Sequence, residues 1–188
     1  MPEWSKDVFR LRRNHRWKTK PGYVIFVADR GAVRFDIPED WVVIPGQGAV
    51  ELHDRQPPDD DCLLQVSVMY LPKGIDLSAL PVTTLLEETL KAESRGPITR
   101  RDEVVGVRIP GLELACTELW FIDPKENREA VSRWCMARAK GIQPLISMDF
   151  WRDDTERFSP VWNEILRTLR VGEFIRDPTM GPEDPKPS

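Results

Sequence analysis

The residues best suited to chemistry lie in one acidic stretch around His53. Glu51 and Asp54 flank the histidine, and three consecutive aspartates, residues 59–61, follow a pair of prolines. Carboxylate oxygens are the ligands that hard cations prefer, so this stretch could serve a metal-dependent or small-ligand enzyme. The run lacks the spacing of a calcium loop, however, and acidic loops are more often solvated surface. We therefore predict no metal and no cofactor, and keep an enzyme site near His53 as the alternative.

A second group of acids surrounds the start of the last helical segment. A pair of carboxylates there could act in general acid–base catalysis, but acids before a helix more commonly cap it or favour its N-terminus. The group consists of Asp149, Asp153, Asp154 and Glu156. We interpret it as structural.

The three cysteines and two histidines do not suggest a nucleophilic site. Cys62, Cys116 and Cys135 lie in apolar, strand-like segments where a thiol behaves as a small buried hydrophobe. The turn at residues 46–48 contains two glycines but has no helix after it, so it does not match a phosphate-binding loop. The sequence therefore contains no catalytic motif, and we predict that the protein is not an enzyme.

The composition indicates one globular domain. The chain has 188 residues, of which 40% are hydrophobic and 31% charged, and no apolar run approaches the length of a membrane span. The first residues do not match a secretory signal, and an odd number of cysteines argues against a disulfide framework. These observations predict a protein of the reducing cytoplasm.

Charge is distributed unevenly along the chain. Residues 1–20 hold seven Lys or Arg against two Asp or Glu, whereas the remainder is acidic. This basic arm carries Arg10, Arg12, Arg13, Arg16, Lys18 and Lys20. It could bind nucleic acid or an anionic membrane, or it could lie against the acidic body of its own domain or of a neighbouring subunit.

Periodicity predicts the elements that position these residues. A hairpin spans residues 23–37, a strand with one apolar face spans 62–70, a helix spans 80–91, and four antiparallel strands span 98–151. Pro144 places the last of these strands at an edge, or its pairing beyond the proline. A second helix is predicted from an N-cap at Ser159 with Pro160 in its first position, and Gly172 closes it.

The predicted domain organisation has three parts. Residues 1–20 form the basic arm, residues 21–172 form the domain, and residues 173–188, rich in proline and acids, form a disordered tail. The fold class is α+β, with an antiparallel sheet of about six to seven strands flanked by two main helices.

This order of elements resembles the PsbP-like, or DcrB-like, α/β/α sandwich family. The resemblance spans residues 32–171 and rests on the turn formed by Phe35, Ile37, Pro38 and Trp41, on the strand 62–70, and on the apolar stripe of the last helix. The family fold is shared by a photosystem II subunit, a nuclear import factor that acts on the Ran GTPase, and chaperones of type VI secretion effectors. No catalytic motif belongs to the family as a whole, so the resemblance implies an accessory or binding role.

One side of the predicted sheet is rich in aromatic and methionine side chains. Such a face binds another protein if it is open, and it is ordinary core if the N-terminal hairpin covers it. Its residues are Met69, Leu119, Phe121, Trp134, Met136 and Trp151. We predict a non-catalytic protein-binding, chaperone-like or accessory domain whose partner is another chain or a second copy in a homodimer.

Overall fold

The computed structural model describes residues 4–74, 77, 79–92 and 94–183, which form two sheets and two helices. The small sheet holds β1 (Tyr23–Ala28), β2 (Val33–Pro38) and β11 (Arg170–Val171), with β2 in the centre. The main sheet holds β3 (Val42–Pro45), β4 (Val50–His53), β5 (Cys62–Tyr70), β6 (Ile98–Arg101), β7 (Val105–Ile109), β8 (Leu112–Asp123), β9 (Arg128–Arg138) and β10 (Ile142–Trp151). The helices are α1 (Val82–Lys91) and α2 (Thr155–Thr168).

The main sheet is antiparallel throughout and has eight strands. Its order is β3-β4-β5-β10-β9-β8-β6, with β7 pairing beside β6 on the same edge of β8. The predicted α+β fold with two flanking helices is confirmed, with one strand more than expected. The extra strand arises because residues 98–109 form two short strands, β6 and β7, rather than one.

Each helix covers one face of the main sheet, because alternate side chains along a strand point to opposite faces. On one face, α2 and the small sheet bury a core that includes Leu64, Ile146 and Ile165. On the other face, Leu86 and Leu90 of α1 lie over β8 and β9. The central strands are therefore buried on both sides.

The turn from Phe35 to Trp41 is part of the core. Phe35 and Ile37 are fully buried, and the ring of Phe35 lies 5.0 Å from that of Phe26. The Trp41 ring contacts Phe158 of α2 edge-on at 6.4 Å. This turn thus joins the small sheet to α2.

The last helix differs from its predicted bounds. It starts at Thr155, four residues before the predicted cap, and Pro160 lies inside it. A proline this close to the helix start removes only one backbone hydrogen bond, and burial of Phe158 and Trp162 on either side offsets that loss. Gly172 does not close the helix. It follows β11 with φ +68.

Pro144 lies in a central strand, not at an edge. Its strand, β10, is paired with β5 on one side and with β9 on the other. The pairing to β9 begins at Leu145, directly after the proline. Of the two predicted arrangements, an edge strand or pairing beyond the proline, the structure therefore shows the second.

The segment after β11 packs against the arm instead of forming a disordered tail, as far as residue 183. The backbone N–H groups of Arg12 and Arg16 donate to the carbonyls of Thr179 and Met180, at 3.1 and 2.7 Å. The Trp17 indole donates to the Pro178 carbonyl at 2.7 Å. We missed this pairing because it joins segments about 165 positions apart in sequence. Residues 184–188 of the predicted tail lie outside the described residues.

We predict that Leu86→Ala lowers the free energy of unfolding by about 2–5 kcal/mol, because it opens a cavity where the side chain is fully buried. Denaturant unfolding followed by tryptophan fluorescence measures the change. The matched control is Glu87→Ala, the exposed next residue of the same helix, for which we expect no more than about 0.5 kcal/mol. Equal effects of the two substitutions would contradict the placement of α1.

Candidate functional site

The acidic stretch around His53 closes the loop between β4 and β5. The buried Asp54 carboxylate accepts hydrogen bonds from the backbone N–H groups of Asp61 and Cys62, at 2.8 and 2.9 Å. It also pairs with Arg157 of α2 at 2.8 Å. These contacts satisfy the carboxylate within the protein, so Asp54 has a structural role.

His53 is buried beside two carboxylates. Its Nδ1 lies 2.8 Å from Asp60, and its Nε2 lies 3.5 Å from Glu51 without forming a hydrogen bond. Within the residues that the structure describes, no three His, Cys, Asp or Glu side chains converge in a way that could hold a metal ion.

The second group of acids is also used in structural contacts. Asp149 pairs with Arg95 and accepts a hydrogen bond from Ser132, and Asp153 pairs with Arg128. Asp154 is the N-cap residue of α2 but makes no side-chain capping bond. Glu156 lies in the first turn, where a negative charge favours the helix dipole.

The predicted partner-binding face is largely closed. Leu119, Phe121, Trp134 and Met136 are at most 5% exposed, because α1 packs on them. The prediction of an open face is therefore wrong for these four residues. The alternative, that the N-terminal hairpin covers this face, is also wrong, since β1 and β2 pack on the opposite face with α2.

The two other residues of this predicted face are more accessible. Trp151 is partly buried, with the Arg128 guanidinium 4.8 Å from its ring centre. Met69 is 57% exposed, at the end of β5. Trp151 packs against the buried cluster that contains the other four residues, whereas Met69 is not part of that cluster.

The basic arm lies partly on its own domain. Arg12 pairs with Asp177 at 3.6 Å, Arg16 donates to the Pro182 carbonyl at 2.6 Å, and Lys20 pairs with Glu164 at 3.3 Å. Lys18 and Lys20 line a cavity beside β2. Arg10 and Arg13 are exposed and form no ion pair with the described part of the chain.

An accessible apolar row lies on β7, and the sequence analysis did not predict it. Val105, Val107 and Ile109 are 63%, 51% and 49% exposed. They lie opposite Cys116, Leu114 and Leu112 of β8, so all six side chains share one face. The alternation of these residues was visible in the sequence, but their exposure depends on β7 lying at an edge.

The outer edge of β7 is unpaired within the described residues. The turn at residues 110–111 joins Ile109 directly to Leu112, and a two-residue turn is closed by a hydrogen-bonded pair. Because such pairs alternate, the backbone groups of Gly106 and Arg108 point away from β8. They are free to bond another strand.

A network of hydrogen bonds fixes β8, on which β7 rests. The Glu118 carboxylate accepts from Arg133 Nε of β9 at 2.6 Å and from the Trp120 indole at 2.8 Å. Arg133 also donates to Ser159 of α2 at 2.9 Å. Burial alone would raise the pKa of Glu118, but the bonds from Trp120 and Arg133 outweigh it and hold that pKa below its usual value.

Comparison with known proteins gives the family. The model of the Alr1449 family matches residues 24–175. The protein alr1449 of Nostoc sp. is 39% identical over 180 residues, which cover 95% of this chain and 93% of that protein. The chain belongs to the Alr1449 family.

Solved structures place this Alr1449-family protein in a known fold. The solution structure of cyanobacterial PsbP (CyanoP) from Synechocystis matches with a TM-score of 0.54 at 10% identity, over 81% of this chain and 94% of that one. A crystal structure from Bacteroides thetaiotaomicron matches with a TM-score of 0.53 at 14% identity, over 78% of this chain. This chain spans 47% of the Bacteroides protein. The predicted PsbP-like fold is confirmed.

Neither helix in the described part of this Alr1449-family chain has the length and apolar character needed to cross a lipid bilayer.

We predict that Glu118→Gln lowers the free energy of unfolding by about 2 kcal/mol at pH 7, because it weakens charged hydrogen bonds to Arg133. The pKa of Glu118 is lower in the folded state, so its stabilisation is present above the unfolded value of about 4.3 and is lost as the pH falls through the folded value. The difference in free energy of unfolding between wild type and variant should therefore become smaller below about pH 4. Urea unfolding at several pH values tests this, with Glu126→Gln in the exposed β8–β9 turn as control. A difference in free energy of unfolding that stays constant down to pH 3 would contradict the predicted role of the Glu118 carboxylate.

Proposed function

We propose that this Alr1449-family protein is a non-catalytic protein-binding domain of accessory function, that it binds through the free edge of β7, and that its partner there is a second copy of the chain. The observation that carries the proposal is the exposed row of Val105, Val107 and Ile109 beside unpaired backbone groups. An edge strand of this kind is a ready template for pairing with a further strand. The Asp54 and Asp149 contacts support a non-catalytic role, because they are made within the fold.

The sequence of β7 is self-complementary in an antiparallel pairing about a two-fold axis. With Val107 opposite its own copy, Val105 lies opposite Ile109, and the small Gly106 lies opposite Arg108. Apolar side chains then meet on one face, and no two like charges face each other. On the other face Arg108 already pairs with Glu113 of its own chain.

The exposed backbone groups support the same register. Gly106 and Arg108 carry the outward N–H and C=O groups, and the two-fold pairing brings these two residues together. Val107 would then form a pair without backbone hydrogen bonds, in which side chains approach closely. The resulting β7–β7 contact joins two main sheets into one continuous sheet.

We expect sedimentation equilibrium at about 100 µM to show a dimer for the wild type, because a dimer with a Kd of about 1 µM or less is the main species at that concentration. Val107→Lys should be monomeric, because it places two ammonium groups opposite each other. The control is Val8→Lys, at a residue of the arm that is 87% exposed, and it should remain dimeric. A monomeric wild type, or a Val107→Lys dimer, would refute the β7 edge as the interface.

Crosslinking gives the register. Val107→Cys should form a disulfide-linked dimer under mild oxidation, because residues opposite each other in a pair without backbone hydrogen bonds have Cα atoms about 4.5 Å apart, which is within the span of a disulfide. Wild-type protein treated in the same way is the control, since it carries native free thiols at Cys62, Cys116 and Cys135. Equal crosslinking of wild type and variant would argue against this register.

We also propose a cytoplasmic location, which the three free thiols support because cysteines stay reduced in that compartment.

A further inference from the structure

A cavity of about 320 Å³ lies where the arm meets β2 and the end of α2. Its wall is formed by the arm, by the hairpin of β1 and β2, and by the distant segment from the end of α2 to β11. The lining residues are Lys18, Thr19, Lys20, Ile25, Arg34, Asp36, Arg167, Thr168 and Arg170.

The wall of this cavity has an excess of positive charge. Lys20 and Arg167 share Glu164, at 3.3 and 2.6 Å, and Arg34 and Arg170 share Glu173, at 2.5 and 4.0 Å. Lys18 forms no ion pair with the described part of the chain. The five cations therefore face three carboxylates, Glu164, Glu173 and Asp36, which leaves two positive charges unbalanced.

The three carboxylates at the cavity each have partners within the fold. Arg167 and Lys20 hold the pKa of Glu164 below its usual value despite burial, so it stays charged and paired. Asp36 accepts a hydrogen bond from Thr19 Oγ1 at 2.6 Å, and its backbone N–H donates to Thr168 Oγ1 at 2.9 Å.

Arg34 has one donor that the fold does not use. Its Nη2 bonds Glu173, while its Nε is buried and has no acceptor among the described residues. The guanidinium lines the cavity and lies 5.8 Å from the centre of the Trp17 ring. Guanidinium N–H groups are well suited to bind phosphate oxygens.

We propose that this cavity binds the phosphoryl group of a small phosphorylated molecule. Its volume is at the lower end of the range for small-molecule pockets, about 300–1,000 Å³. The two unbalanced positive charges match the charge of a phosphoryl dianion. Lys18, Arg34 and Arg170 hold the group, and Lys20 and Arg167 supply the surrounding positive potential. The site is separate from the β7 edge and does not depend on dimerisation.

Isothermal titration calorimetry at low ionic strength, with pyrophosphate and inorganic phosphate as probes, tests this site. Wild type should bind pyrophosphate, and Lys18→Gln/Arg170→Gln should bind it at least about tenfold more weakly. The matched control is Arg10→Gln/Arg13→Gln, which removes the same charge from the arm outside the cavity and should bind as wild type does. Both altered side chains of the test variant are exposed, and thermal melting verifies that it is folded. If it is not, Lys18→Gln alone provides the measurement.

Three results would overturn the proposal. The first is the absence of pyrophosphate binding to wild type. The second is an equal loss of affinity in the two double variants, which would indicate attraction by net charge alone. The third is tighter binding of citrate than of pyrophosphate, which would indicate a carboxylate site. Vesicles of phosphatidylglycerol distinguish a site for a free phosphorylated molecule from a site for a lipid headgroup. Binding to these vesicles without binding to pyrophosphate would also overturn the proposal.

Discussion

The fold depends on the burial of β8, β9 and β10 on both of their faces. Side chains that alternate along β9 illustrate this, since Val131 and Cys135 enter one core while Trp134 and Met136 enter the other. A sheet with two apolar faces must be covered twice, and each helix supplies one cover. This requirement fixes α1 over β8 and β9, and it sends α2 and the small sheet to the opposite side. The outer strand β7, by contrast, is exposed along its whole length, and one of its faces carries the apolar row.

The same requirement explains why the acidic residues that could have acted in catalysis or metal binding have structural roles instead. A polar group near a two-sided core must be paired, because leaving it unsatisfied is costly. Asp54, Glu118 and Asp149 each find partners on neighbouring strands or on α2. Their carboxylates therefore stabilise loops and strand pairs. The cavity beside β2 differs in this respect, because its five cations exceed the neighbouring carboxylates by two charges.

Local periodicity was enough to predict much of the fold. The strand at residues 62–70 was predicted to the residue, and α1 was predicted with an error of two residues at its start. The start of α2 was missed because Ser159 and Pro160 matched a capping pattern, whereas burial of Phe158 extends the helix one turn further. What covers each sheet face, the exposure of β7 and the lining of the cavity could not be predicted. These features depend on contacts between distant segments, and a single sequence carries no direct signal for them.

The hydrogen bonds between the arm and residues 177–182 make these two segments interdependent. Each is irregular and has little core of its own, so each owes its conformation to the other. Lys18 therefore reaches the cavity only when the arm has docked, whereas Arg170 is positioned by the pairing of β11 with β2. Residues 10–18 and 177–182 contribute no side chain to the two buried clusters of the main sheet. Domain stability and cavity integrity are thus separate properties of this chain.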